Sequence, residues 1–184
     1  MQVLDKEFRP YLKAEEIQTI VKDTAARMYA DLKDVRDPMG QYPLLLPILN
    51  GAFVFAADLC RELGNLGMEA EVCFVKNSSY SGTHSTGTVM QLIGFPDSIK
   101  DRDVVIVEDI IETGISVAHN IEQLQQMGVR SIRVCCLFHK PELFKGDYKI
   151  DYIGRNIDND FIVGYGLDYS EHGRMLKDVW ILDK

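Results

Sequence analysis

Val104-Val105-Ile106-Val107-Glu108-Asp109-Ile110-Ile111-Glu112-Thr113-Gly114-Ile115-Ser116 is the stretch from which the rest of the chain can be read. Four β-branched residues in succession suit a strand covered on both faces, the habit of parallel sheets. Such sheets collect ligands at the carboxyl ends of their strands. The strand ends in two adjacent acids, Glu108 and Asp109, able to hold the hydroxyls of a sugar or the waters of a magnesium ion. Thr113-Gly114-Ile115-Ser116 then adds two hydroxyls and a flexible glycine before a helix, whose N-terminal amides and dipole attract phosphate. Strand, acids and cradle together describe a site for a ribose 5-phosphate.

Outward from this segment the pattern repeats as strand, helix, strand. Ile17, Ile20, Val21, Ala25, Met28 and Leu32 recur at helical spacing and predict an amphipathic helix over 15–32, broken by Asp37-Pro38-Met39-Gly40. Leu44 to Leu49 reads as a strand, Ala52 to Leu63 as a mostly buried helix closed by Gly64 and Gly67, and Glu69 to Lys76 as the next strand. The second unit runs from Val104 through a helix over about 117–127, ended by Gly128, to a strand over Ile132 to Phe138. Two such units predict an α/β fold, a parallel sheet with helices on both faces.

Between the units, Asn77 to Thr88 is polar and small apart from Tyr80, and cannot pack a core. A loop of that length and position favours a lid. Beyond residue 140 the apolar pieces shorten to Tyr152-Ile153-Gly154, Phe161 to Leu167 and Val179 to Leu182, which read as strands of a small hood. The 184 residues suit one domain, with a core over about 14–138 and a hood over about 140–184 to which the N-terminus can contribute.

Composition narrows the function classes. Lys and Arg total 20 against 28 Asp and Glu, a net charge of -8, which disfavours non-specific binding to nucleic acid or anionic lipid. A small anionic substrate would have to be held by metal, backbone amides and local lysines. The charged Met1 to Pro10 lacks the apolar segment of a leader and no run approaches a membrane span, so a cytoplasmic location is expected. Cys60, Cys73, Cys135 and Cys136 lie in apolar surroundings without C-x-x-C spacing and read as reduced core thiols, and the four histidines show no paired metal-binding spacing.

The segment from Val104 to Ser116 resembles the phosphoribosyl pyrophosphate signature of the type I phosphoribosyltransferases. Its double-acid, double-isoleucine form is similar to their hypoxanthine-guanine branch. The resemblance runs from about Leu44 to Asp183 and implies a Rossmann-like twisted sheet with a small C-terminal hood. It implies that Glu108 and Asp109 contact the ribose hydroxyls, and that Glu112, Thr113, Gly114, Ile115 and Ser116 grip the 5′-phosphate. Glu112, in a position where relatives commonly carry aspartate, would also accept the proton on the N7 side of the base.

Leu49-Asn50-Gly51 resembles the family's pyrophosphate loop, in which an unusual peptide geometry presents a backbone amide; Asn50 stands where Lys or Arg is common. Ser79-Tyr80 resembles the Ser-Tyr pair of the family's lid. Lys140 matches the lysine that donates to the purine 6-oxo group. The run from Phe161 to Tyr169 implies that Phe161 stacks on the base, that Ile162 offers backbone groups to its edge, and that Asp168 faces magnesium together with Glu108 and Asp109. Arg174, six residues beyond Asp168, fits a pyrophosphate-contacting arginine.

The implied reaction moves a phosphoribosyl group from phosphoribosyl pyrophosphate to a 6-oxopurine, with Mg2+ as cofactor and a homodimer or homotetramer as the assembly. Two alternatives stay open on sequence alone. One is a transferase preferring guanine or xanthine; the other is a regulator that senses phosphoribosyl pyrophosphate and acts on an RNA or protein partner.

Overall fold

The computed structural model describes residues 1–79 and 89–183, with side chains placed except at 77–79 and 89–92. In chain order the elements are β1 (Gln2–Val3), β2 (Lys6–Leu12), α1 (Ala14–Leu32), β3 (Leu44–Leu49), α2 (Phe53–Asn65), β4 (Glu71–Val72) and β5 (Val75–Ser79). There follow β6 (Val89–Ile93), β7 (Asp103–Ile111), α3 (Ile115–Gln126), β8 (Ser131–His139), β9 (Tyr152–Asn156), β10 (Ile162–Val163) and β11 (Val179–Leu182).

The main sheet has the order β6-β5-β3-β7-β8-β9, with β4 also pairing β3. All its pairings are parallel except that of β5 with β6. Side-chain alternation along the strands explains why both faces are covered. Val105 and Val107 of β7, with Leu45, Cys135 and Leu137 of its neighbours, pack on α1 and α2. The intervening Val104 and Ile106, with Leu44, Leu46, Val134 and Cys136, pack instead with Val117 and Leu124 of α3. An unbroken apolar run is what a strand needs when each face meets a helix layer.

A second sheet, order β1-β2-β11-β10, forms the hood. The N-terminus makes its contribution to the hood as two strands, β1 and β2, which the charged start of the chain did not announce as strands. Phe8 and Leu12 supply their buried face, and Leu182, Ile181 and Val179 of β11 pair with Phe8, Arg9 and Leu12. Asp178, just before β11, accepts a hydrogen bond from the Ala14 amide at 2.8 Å and lies 3.3 Å from Lys13 Nζ. Lys13, at the N-cap of α1, has no side-chain oxygen to satisfy the first amides. Glu16 accepts from the Lys13 amide at 3.0 Å, and Asp178 meets the next amide from the far end of the chain.

Four expectations change. Tyr152-Ile153-Gly154 belongs to β9 at the edge of the main sheet, not to the hood, because Tyr152 and Ile153 pair with Cys135 and Cys136 of β8. The strand expected over Glu69 to Lys76 divides into β4 and β5, which pair with successive parts of β3. Asn77 to Ser79 extend β5 and pair with β6, so the polar segment starts later than its composition implied; Tyr80 to Thr88 lie outside the described residues. Finally, β7 runs through the two acids to Ile111, and Ile115 and Ser116 already belong to α3.

Opposite the carboxyl ends of the strands, a buried ion pair closes the sheet. The side chains of Arg102 and Asp37, each 3% exposed, meet at 3.1 Å, and Arg102 also reaches Glu71 and the Tyr42 carbonyl. Asp37 further accepts from the amides of Met39 and Gln41, so the loop into β3 is anchored to the start of β7.

Candidate active site

The carboxyl ends of β3, β7 and β8 lie side by side, and each carries part of the site. At the end of β3 the Leu49–Asn50 peptide is cis, the feature the short loop was expected to present in an unusual geometry. Gly51 follows, and a Cβ there would fall inside the Asp109 carboxylate. The absence of a side chain at Gly51 is therefore what allows Asp109 to face that loop.

Glu108 is 8% exposed. Burial, then the neighbouring Asp109 charge and hydrogen bond, hold its carboxyl well above the usual carboxylate range. Burial likewise pushes Asp109 up to about 6, opposed by the amide of Ile110 at 2.9 Å and by the Arg174 charge. The buried Glu108 and the half-buried Asp109 thus stand side by side, each raising the cost of charging the other.

The strand then turns through Glu112, Thr113 and Gly114 into α3. Gly114 caps the helix at φ +79°, in the left-handed region that glycine enters without a steric penalty. Glu108 and the run from Ile110 to Val117, with Thr113 and Ser116 among them, line a pocket of about 330 Å³. The helix N-terminus opens into it, which suits an anion.

At the end of β8, Lys140 is buried, 4% exposed, and its ammonium donates to the half-exposed Glu112 carboxylate. The residue expected to read the purine oxygen and the residue expected to take the base's proton are thus one contact apart.

The hood supplies the remaining groups. Arg174 lies 2.7 Å from Asp168 Oδ1 and donates to the Gly166 carbonyl at 2.9 Å. Gly166, at φ +100°, presses on the first loop so closely that a Cβ would strike the Gly51 carbonyl. Asp168 and Arg174 both influence Asp109, with opposite signs, and so complete one electrostatic cluster with it. Phe161, 42% exposed, has Phe8 and Tyr169 as ring neighbours at 6.3 and 5.8 Å. Ile162 is buried and pairs with Ile181.

The expected acids do not close into a metal cage. Among the described residues no three metal-binding side chains converge on one point, so Asp168, Glu108 and Asp109 are not a self-sufficient ligand set. Hard oxygen donors in small number do fit magnesium, which retains waters and takes phosphate oxygens as ligands. Ser79 ends β5, and its expected lid partner Tyr80 lies outside the described residues.

Phe8, Phe144 and Tyr148 were not singled out by the sequence, and Tyr169 stood only as the end of the Phe161 run without a role of its own. Phe144 and Tyr148 lie against Gly114, and the only sequence signal was two aromatics in a stretch rich in charge, Lys140 to Asp151.

A parallel sheet whose central strand carries paired acids, feeds a glycine-capped anion cradle and is roofed by a small antiparallel hood is the type I phosphoribosyltransferase fold. Comparison with known proteins agrees. The phosphoribosyl transferase domain model matches residues 11–170, and the chain belongs to that family. The hypoxanthine-guanine phosphoribosyltransferase of Mycobacterium bovis is 37% identical over 94% of this chain and 84% of its own. That of Staphylococcus epidermidis is 39% identical over 90% of this chain and 88% of its own. Among solved structures, a mutant hypoxanthine phosphoribosyltransferase from Trypanosoma cruzi, complexed with the product IMP, superposes with a TM-score of 0.87 at 32% identity, covering 100% of this chain and 93% of that one.

Proposed function

We propose that the protein transfers the 5-phosphoribosyl group of phosphoribosyl pyrophosphate to hypoxanthine, and also to guanine, forming the 5′-mononucleotide and pyrophosphate in purine salvage. The observation that carries this reading is the contact between Lys140 and Glu112 at the rim of the phosphate cradle. O6 and N7 are neighbours on one edge of a 6-oxopurine. A buried donor beside an acceptor suits that edge, one group for the oxygen and the other for the proton.

Bond breaking at the sugar leaves a carbon of oxocarbenium character, which must be held, shielded from water and met by a nitrogen. Glu108 and Asp109 hold the ribose hydroxyls, while the amides and hydroxyls from Thr113 to Ser116 hold the 5′-phosphate. Phe161 stacks on the base and Ile162 offers backbone groups to its far edge. Binding of the base draws Lys140 to the 6-oxo oxygen and frees Glu112 to accept the N7-side proton. Asn50, Gly51 and Arg174 receive the pyrophosphate, and Ser79 and Tyr80 belong to a lid that excludes water. Asp168, with Glu108 and Asp109 as further oxygen donors, would hold magnesium, which would supply neutralisation of the leaving group's charge. The protein works in the cytoplasm as a homodimer or homotetramer; no helix among the described residues is long and apolar enough to cross a membrane.

Pyrophosphate release measured with hypoxanthine, guanine, xanthine and adenine tests the reading. Adenine offers a donor to Lys140, and a site built around that hydrogen bond rejects the wrong analogue by roughly 10⁴-fold or more. Hypoxanthine and guanine should be used, adenine refused, and excess chelator should abolish turnover. Comparable efficiency with adenine, or full activity in chelator, would overturn the assignment.

A further inference from the structure

The phosphate loop does not hold its own shape. The cap residue of α3, Gly114, has no side chain to bond the first amides, and Ile115 N approaches Thr113 Oγ1 only at 3.5 Å. Its conformation is held from outside, by one segment. The Lys140 amide donates to the Ile111 carbonyl at 2.9 Å, the Lys140 ammonium to Glu112, the Lys145 amide to the Thr113 carbonyl at 3.1 Å, and the Tyr148 hydroxyl to the Gly114 carbonyl at 3.0 Å. The last residue of β7 and the three loop residues that follow it are thus each bonded by the segment from Lys140 to Tyr148. The Gly114 carbonyl also accepts the regular helical bond from Ala118 at 3.0 Å, so Tyr148 uses its second acceptor site.

These bonds set directions as well as positions. In a trans peptide the C=O and N–H point opposite ways. Turning the Thr113 and Gly114 carbonyls toward the segment turns the amides of Gly114 and Ile115 away from it. Packing reinforces the bonds. Phe144 makes edge contacts with His139 at 5.2 Å and Tyr148 at 5.3 Å, and a Cβ on Gly114 would lie 2.6 Å from the Phe144 ring and 2.7 Å from the Tyr148 hydroxyl.

We infer that Tyr148 and Phe144 are positioning residues for phosphate: they brace the loop from behind so that its amides are aimed before the 5′-phosphate arrives. The inference rests on the proposed role of that loop as a phosphate cradle. Ordering the loop in advance lowers the entropy lost on binding, so the brace acts on ligands that carry the phosphate and not on those that lack it. Tyr148 is a phenol and therefore a donor at neutral pH, and burial, with the Glu108 charge next, pushes its hydroxyl further up.

The test compares affinity for inosine 5′-monophosphate with affinity for inosine, in wild type, Tyr148→Phe and Phe144→Leu, by calorimetry on the intact protein. Phe144→Leu retains the donor and loosens only the packing, so it serves if Tyr148→Phe folds poorly. Loss of one neutral hydrogen bond corresponds to about 3- to 10-fold. Tyr148→Phe should weaken the nucleotide, and raise KM for phosphoribosyl pyrophosphate, by that factor while inosine affinity and KM for hypoxanthine hold. Phe144→Leu should move the same ratio in the same direction. A folded Tyr148→Phe that keeps the wild-type preference for nucleotide over nucleoside would overturn the brace, as would an equal weakening of both ligands in either variant. Wild type showing no preference for the nucleotide would instead overturn the cradle itself.

Discussion

Gly51→Ala separates site from scaffold, because the atoms an added Cβ meets belong to the Asp109 side chain. Gly51 does not have the positive φ that penalises alanine, so the backbone tolerates the substitution. The added methyl would fall on the Asp109 carboxylate, with Cγ 2.5 Å and Oδ1 3.1 Å away. Because the atoms met belong to the end of a side chain, the fold adjusts by turning Asp109 out of its rotamer. That costs about 0.5 to 1.5 kcal/mol, partly offset by relief of a carboxyl that burial already pushes up to about 6. A displaced Asp109 would lose the hydrogen bond to the ribose proposed for it. A bond to a charged group contributes about 1.5 to 3 kcal/mol, equivalent to roughly 10- to 150-fold in kcat/KM. Thermal unfolding and steady-state pyrophosphate release on the same preparation give both numbers. Wild-type kcat/KM for phosphoribosyl pyrophosphate in a folded Gly51→Ala protein would refute the claim that this glycine makes room for a working Asp109. A large loss of stability would refute the claim that the side chain yields before the backbone.

Glu112→Gln keeps the size of the side chain but removes its basicity, so kcat should fall by about 10² to 10⁴-fold where chemistry limits turnover; an unchanged single-turnover rate would make Glu112 structural. Asp37→Ala removes one of the two carboxylates that face the buried Arg102, leaving Glu71, so urea unfolding should show a loss smaller than the about 3 to 5 kcal/mol of an uncompensated buried charge, with KM unaffected, since this cluster lies at the opposite end of the sheet from the site. Acid should loosen the hood. The Ala14 amide, with Lys13 adding to it, holds the Asp178 carboxyl below its usual range. Its contribution to stability is therefore complete above the unfolded value of about 3.9 and is lost as pH falls through the lower folded value. Asp178→Asn should flatten that acid limb of the stability curve, and an identical limb in the variant would remove Asp178 from the account.

The sequence by itself determined the central strand, the paired acids at its end and the glycine turn into α3, because these are local. The apolar run from Val104 to Val107, the acids that follow and the glycine before α3 are consecutive, and periodicity with turn chemistry reads such a unit directly. Tertiary structure decided what depends on separation along the chain. Tyr152 to Asn156 carries no mark that distinguishes a sheet edge from a hood strand; pairing with β8 settles it. The charged N-terminus gains its strand from β11, some 170 residues away, and Phe8 comes to Phe161 by the same pairing. Likewise nothing near Gly114 announces Phe144 or Tyr148, and nothing near Ala14 announces Asp178. In each case the decisive partner is a donor, an acceptor or a ring brought close only by folding. Short-range pattern reports which residues could do chemistry or form a strand, whereas long-range packing chooses their neighbours, and the neighbours set position, charge and direction.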